Sequence, residues 1–194
     1  MNITLSPDFW SNVIASLIGA SIGGLFAYLI ALYQFKIQKN AEIRERQVKT
    51  ALAFYEEMTS NDFSFSRTTA SKVFDEYFTA NSLSDFYSDL PEEKRKHIRI
   101  VTAFFRRLQL NVEYNLIDKQ MMLNLLAEEF FWWYFMWLDA MVPEHWETRT
   151  NIDKLHTWCK AVMSSEKYEQ AKRVAVKRRE KRLSELRSKQ QGNV

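Results

Sequence analysis

Glycine, proline and cysteine are scarce in this chain of 194 residues, which holds four, three and one of them. Gly19, Gly23 and Gly24 are neighbours and the fourth is Gly192, so residues 25–191 contain no glycine and only Pro91 and Pro143. Sandwiches, barrels and doubly wound sheets need many tight turns, and this chain cannot supply them. Gly-rich phosphate loops are excluded for the same reason, because a backbone approaches a phosphate closely only where glycines allow it. The lone Cys159 rules out an internal disulfide framework and a multi-cysteine zinc site. Disorder is excluded for most of the length, since 46% hydrophobic and 14% aromatic residues provide enough apolar surface to offset ordering entropy. The fold class expected is all-α.

What the chain does have is a run of twenty residues without a charge, 13–32 (VIASLIGASIGGLFAYLIAL), the length that crosses a ~30 Å hydrocarbon core as a helix. Trp10 before it and Tyr33 and Phe35 after it stand where aromatic rings favour the headgroup zone. A cleaved signal peptide wants a basic start, but residues 1–12 carry no Lys or Arg. Lys36, Lys39, Arg44, Arg46 and Lys49 follow the run, which places the C-terminal side in the cytoplasm. The expected organisation is an extracytoplasmic end (1–12), a transmembrane helix (13–33), a cytoplasmic helical bundle (34–165) and a basic C-terminal helix or tail (166–194). Within the span, Ala15, Gly19, Gly23, Ala27 and Ala31 recur every fourth residue on one face. A second helix can approach closely there, so the chain itself, as a homo-oligomer, is the first partner expected, and the lipid bilayer the second.

Helical periodicity continues from the span to about residue 59. A second helix is expected over 63–80 with Phe65, Val73, Phe74 and Phe78, then a loop over 81–90, and a third helix opened by Pro91. Asp118 is placed to cap a fourth, apolar almost all round from Met121 to Leu138. Glu128, Glu129 and Asp139 argue against a second span, because each carboxylate in mid-membrane costs roughly 2.5–3.5 kcal/mol. Phe130, Trp133 and Trp137 are therefore expected in the core or at a subunit interface. Pro143 is expected to begin a fifth helix. Residues 166–191 hold ten Lys or Arg against four Glu, a net +6 in a chain whose total is +3; solvation, anionic lipid and RNA all fit that charge.

Arg149 and His156 stand seven apart, on one side of a helix. An Arg to hold a phosphate and a His to move a proton are what metal-independent RNA cleavage requires, so the two are the candidate catalytic residues. Such spacings arise readily by chance, and a structural role is the expectation. No His has a ligand partner four residues on, and nothing indicates a metal, a cofactor or a small-molecule substrate.

One span, a basic helix (FKIQKNAEIRERQVKTALAFYEEM) and an aromatic helix and turn (IRIVTAFFRRLQLNVEYNLID) together resemble small single-span bacterial membrane proteins. The layout is similar to the membrane accessory proteins of type VI-B CRISPR systems, over nearly the whole chain in element order and over 13–60 and 98–118 in motifs. That resemblance implies a HEPN-like fold, a ring around a pore, a place in the bacterial inner membrane, action in antiphage defence and the company of an RNA-guided effector. The Arg and His of the family's diverged ribonuclease motif match Arg149 and His156, with six residues between them and no polar His or Asn after the Arg. A homo-oligomeric membrane accessory without enzymatic activity is the leading expectation. A membrane-tethered HEPN-type ribonuclease and a membrane-anchored scaffold are the alternatives.

Overall fold

Three of the helices begin where the sequence supplies a cap or a fixed φ. In the computed structural model, which describes residues 7–77 and 83–191, α1 spans Pro7–Thr59 and α2 Asn61–Glu76. Ser60 separates them, its hydroxyl accepting from the Phe63 amide at 3.2 Å and so satisfying an orphan donor of the new helix. A 3-10 turn at Leu83–Asp85 leads to Pro91 and to α3, Glu92–Glu113, with two glutamates in its first turn where they favour the helix dipole. Asn115 ends α3 in the left-handed region (φ 58°). The Leu116 amide reaches back to the Asn111 carbonyl at 2.8 Å and the Asn115 amide to that of Val112 at 3.2 Å. Asparagine thus takes the place glycine usually fills at a helix end, in a stretch without glycine. Asp118 caps α4, Lys119–Trp133, accepting from the Met121 amide at 2.8 Å.

Beyond Trp133 the structure departs from the expected pattern. Tyr134–Leu138 is π-helical, with the Asp139 amide donating to the Tyr134 carbonyl, and a single α turn, α5 (Asp139–Met141), follows. Tyr134, Met136, Trp137, Leu138 and Met141 are all buried along this stretch. Pro143 does not open a helix. It begins a turn in which the Trp146 amide bonds the Pro143 carbonyl at 3.1 Å, and α6 starts at Glu147 and runs to Val162. The cause is tertiary: the Arg149 side chain takes the carbonyls of Leu138, Asp139 and Val142, so the chain must double back before the next helix starts. The second helix, expected to reach residue 80, ends at Glu76. Phe78, residues 81–82 of the expected loop and the side chain of Trp10 lie outside the described residues. α7, Ser165–Gln191, completes an architecture with no strand among the described residues.

The chain divides between Glu45 and Arg46 into two units. In the first, α1 is the one helix among the described residues long and apolar enough to cross a membrane, with a mean hydropathy of 2.1 over its most apolar stretch and none of that stretch buried. In the second, α3 packs on α2 and α6, while α4 and the π segment pack against α7. Ala51, Phe54 and Met58 from the end of α1 join this core, as do Tyr168 and Ala175 from the basic α7. Edge-on rings link the layers, Phe54 to Phe104 at 5.5 Å and Phe105 to Phe130 at 5.4 Å, each such pair adding ~0.5–1.5 kcal/mol beyond area burial.

Candidate functional site

Two groups of candidate residues end up in opposite environments. The small-residue face of α1 is open: Ala15, Gly19, Gly23, Ala27 and Ala31 are exposed, and a side chain placed at Gly19 or Gly23 would meet no atom of the chain within 4 Å. Around them Leu17, Phe26 and Ile30 are each more than half exposed. Unshielded apolar surface on this scale is unfavourable in water and favourable in lipid.

Arg149 and His156 lie instead inside the bundle, beside the π segment. All three guanidinium nitrogens of Arg149 are engaged. Its Nε donates to both oxygens of Asp153 at 2.9 and 2.8 Å, Nη2 donates to Asp139 Oδ1 at 2.6 Å, and Nη1 donates to the carbonyls of Leu138 (3.1 Å), Asp139 and Val142 (3.4 Å). Burial works against its charge, but the hydrogen bond to Asp153 and the charges of Asp153 and Asp139 outweigh it and raise the pKa. Glu147, the other acid beside Arg149 in sequence, turns away to pair with Arg106 at 2.5 Å.

His156 stacks flat on Tyr134, centroids 4.0 Å apart and 7° between planes, while Phe131 and Phe135 meet it edge-on. Its Nε2 is 3.0 Å from the Tyr168 hydroxyl. Burial lowers its pKa, the charges of Lys160 and Lys172 add to that, and Asp139 and Asp153 offset only part of it; the ring is neutral at pH 7. Tyr134 donates to Asp153 at 3.2 Å, and burial, with the two carboxylates, pushes its phenol pKa up. Arg149 would have to give up its protein partners to hold a phosphate. The ring of His156 is half-buried, with one face on Tyr134, and Nε2 is taken up by Tyr168. As it stands, the arrangement is a clamp that ties α6 to the π segment and, through Tyr168, to α7.

The i, i+4 spacing of Arg149 and Asp153 is readable from sequence, whereas Asp139, Tyr134 and Tyr168 join the network only because the bundle brings three elements together. Phe130, Trp133 and Trp137 are 0%, 1% and 2% exposed, within a single copy of the chain. His97 is buried with Nδ1 3.1 Å from the Ser66 hydroxyl, and His145 is exposed. Burial pushes the Cys159 thiol up to about 12. Among the described residues no group of three or more His, Cys, Asp or Glu is placed to hold a metal. Comparison of the chain with protein-family models, with curated proteins and with solved structures finds no match.

Proposed function

We propose that this is a single-pass membrane protein that works by self-assembly, its N-terminus outside and its helical bundle in the cytoplasm. The observation that carries the reading is α1: an uncharged run, exposed on every side, with a small-residue stripe on one face and basic residues only beyond its C-terminal end. The stripe provides the contact between spans, and the bundles gather beneath it. The engagement of Arg149 and His156 by their neighbours favours a structural over a ribonucleolytic role for the pair. Through its resemblance to the type VI-B accessory proteins the reading extends to a bacterial inner-membrane ring around a pore that serves antiphage defence.

The test is the mass of the assembly in mild detergent, with Gly19→Ile/Gly23→Ile as the comparison. Bulky side chains hold the spans apart while making the segment more apolar, so insertion should persist and the oligomer should shrink toward the monomer. An unchanged oligomer would move assembly from the span to the bundle, and an active periplasmic reporter fused after Val194 would reverse the topology. Ion leakage from liposomes bearing the parent and not the double variant would support a pore.

A further inference from the structure

Away from the Arg149 clamp, α2, α4 and α7 enclose a groove of about 370 Å³, at the lower end of the range that holds a small ligand. Four cations line it, Arg67 and Lys72 from α2 and Arg178 and Arg182 from α7. Two have their charge met inside the protein: Arg67 by Glu129, and Arg182 by the buried Asp75 at 2.5 Å. Lys72 and Arg178 have no ion partner among the described residues, so the groove carries two uncompensated positive charges. Ser71, beside Lys72, adds a hydroxyl to the same groove.

One further feature separates this groove from an ordinary basic surface. Trp132 lines the same groove, half-buried, its indole set edge-on against Trp133 at 5.3 Å, and offers an aromatic surface to a flat group.

We infer that this groove binds a nucleoside phosphate, with Lys72 and Arg178 holding the phosphate and Trp132 stacking on the base. Trp132 decides the class. A simple polyanion gains from the cations but leaves the ring of Trp132 unused and is repelled by Asp75 and Glu129, which line the same groove. A phosphatidate headgroup likewise has no ring to lay on it, and the neighbouring groove of about 390 Å³, which shares Trp132 and Arg178, is lined by Asn124, Glu128, Lys167 and Gln170 as well as by apolar side chains. A nucleotide combines anion and ring in one molecule. The site goes beyond the proposed assembly and does not depend on it, since every residue in it belongs to the bundle.

Equilibrium dialysis tests the site, using the full chain in phosphatidylcholine nanodiscs and ATP or GTP as probe. The expected result is saturable binding below roughly 1 mM, weakened by salt as the phosphate contacts are screened. Lys72→Ala/Arg178→Ala should lose at least about tenfold in affinity with an unchanged melting temperature, because both side chains are exposed and neither has an ion or hydrogen-bond partner among the described residues. Trp132→Leu should cost about 5- to 150-fold toward ATP, the range of base stacking, and leave tripolyphosphate binding unaltered. The proposal is overturned by no saturable binding at that concentration, or by ATP and tripolyphosphate binding alike in parent and Trp132→Leu. Indifference of ATP binding to the Lys72/Arg178 double variant would remove the site from this groove. Displacement of ATP by short-chain phosphatidate at lower concentration than by GTP would assign the groove to a lipid.

Discussion

Arg149 is only 11% exposed in its side chain and bonds two carboxylates and three carbonyls, so removing it strands several groups at once. Arg149→Ala should cost about 2–4 kcal/mol of bundle stability, below the full value for a buried ion pair because Asp139 and Asp153 are each over 40% exposed and can turn to water. Chemical denaturation in detergent is the measurement, and a loss under ~0.5 kcal/mol would show that the clamp is decorative. His156 makes the bundle sensitive to pH. Its folded-state pKa is lowered from 6.5 by burial, so the unfolded chain binds its proton first as pH falls. The contribution of His156 to stability is therefore complete above pH 6.5 and declines through the window between 6.5 and the lower folded value. His156→Gln should flatten that part of the stability profile, whereas identical slopes for parent and variant between about pH 5 and 7 would assign it to other groups. The residue scale is where sequence reading reached least far. The Arg149–Asp153 pair could be read from helical spacing, but the partnership of His156 with Tyr168 depends on how α7 docks.

Element boundaries were legible wherever a local side chain sets them, as at Ser60, Pro91 and Asp118. They were illegible where a distant one does. The delayed start of α6 goes with the carbonyls claimed by Arg149, whereas the π segment has no such sign, since Trp133, Tyr134, Trp137 and Leu138 would share one face of a regular helix as well. Nothing in the run of aromatics announces that extra residue. The absence of strands among the described residues, by contrast, agrees with the want of glycine for tight turns. Trp133→Ala and Trp137→Ala should each cost ~3–5 kcal/mol through lost burial and a residual cavity. Trp133 also gives up a hydrogen bond from its indole to Glu129 at 3.2 Å, whereas the buried indole N–H of Trp137 has no acceptor. Of the two, Trp137→Ala should therefore be the milder, and thermal melting of both variants decides it; near-normal melting of both would contradict their burial in the core.

At the scale of the whole molecule, the division between Glu45 and Arg46 predicts which piece folds alone. A chain starting at Arg46 keeps Ala51, Phe54 and Met58 in the core and should melt cooperatively near the temperature of the parent bundle. One starting at Asn61 loses all three, and with them about 4–8 kcal/mol of apolar burial, enough to abolish a cooperative transition in a domain of ordinary stability. Circular dichroism of the two fragments is the check, and equal melting would show that the end of α1 is dispensable. The end of α1 is also tied to the turn after α3, where the Gln47 side chain donates to the Asn115 carbonyl at 2.7 Å and the Asp118 amide donates to the Gln47 carbonyl at 3.1 Å. Those partners are 68 residues apart, which at ~5–20 residues per second of synthesis means several seconds between the first being made and the second. During that interval Phe54 and Met58 are uncovered on the ribosome. Under the membrane insertion proposed for α1, its prompt capture would keep the nascent chain from aggregating before its own core can close.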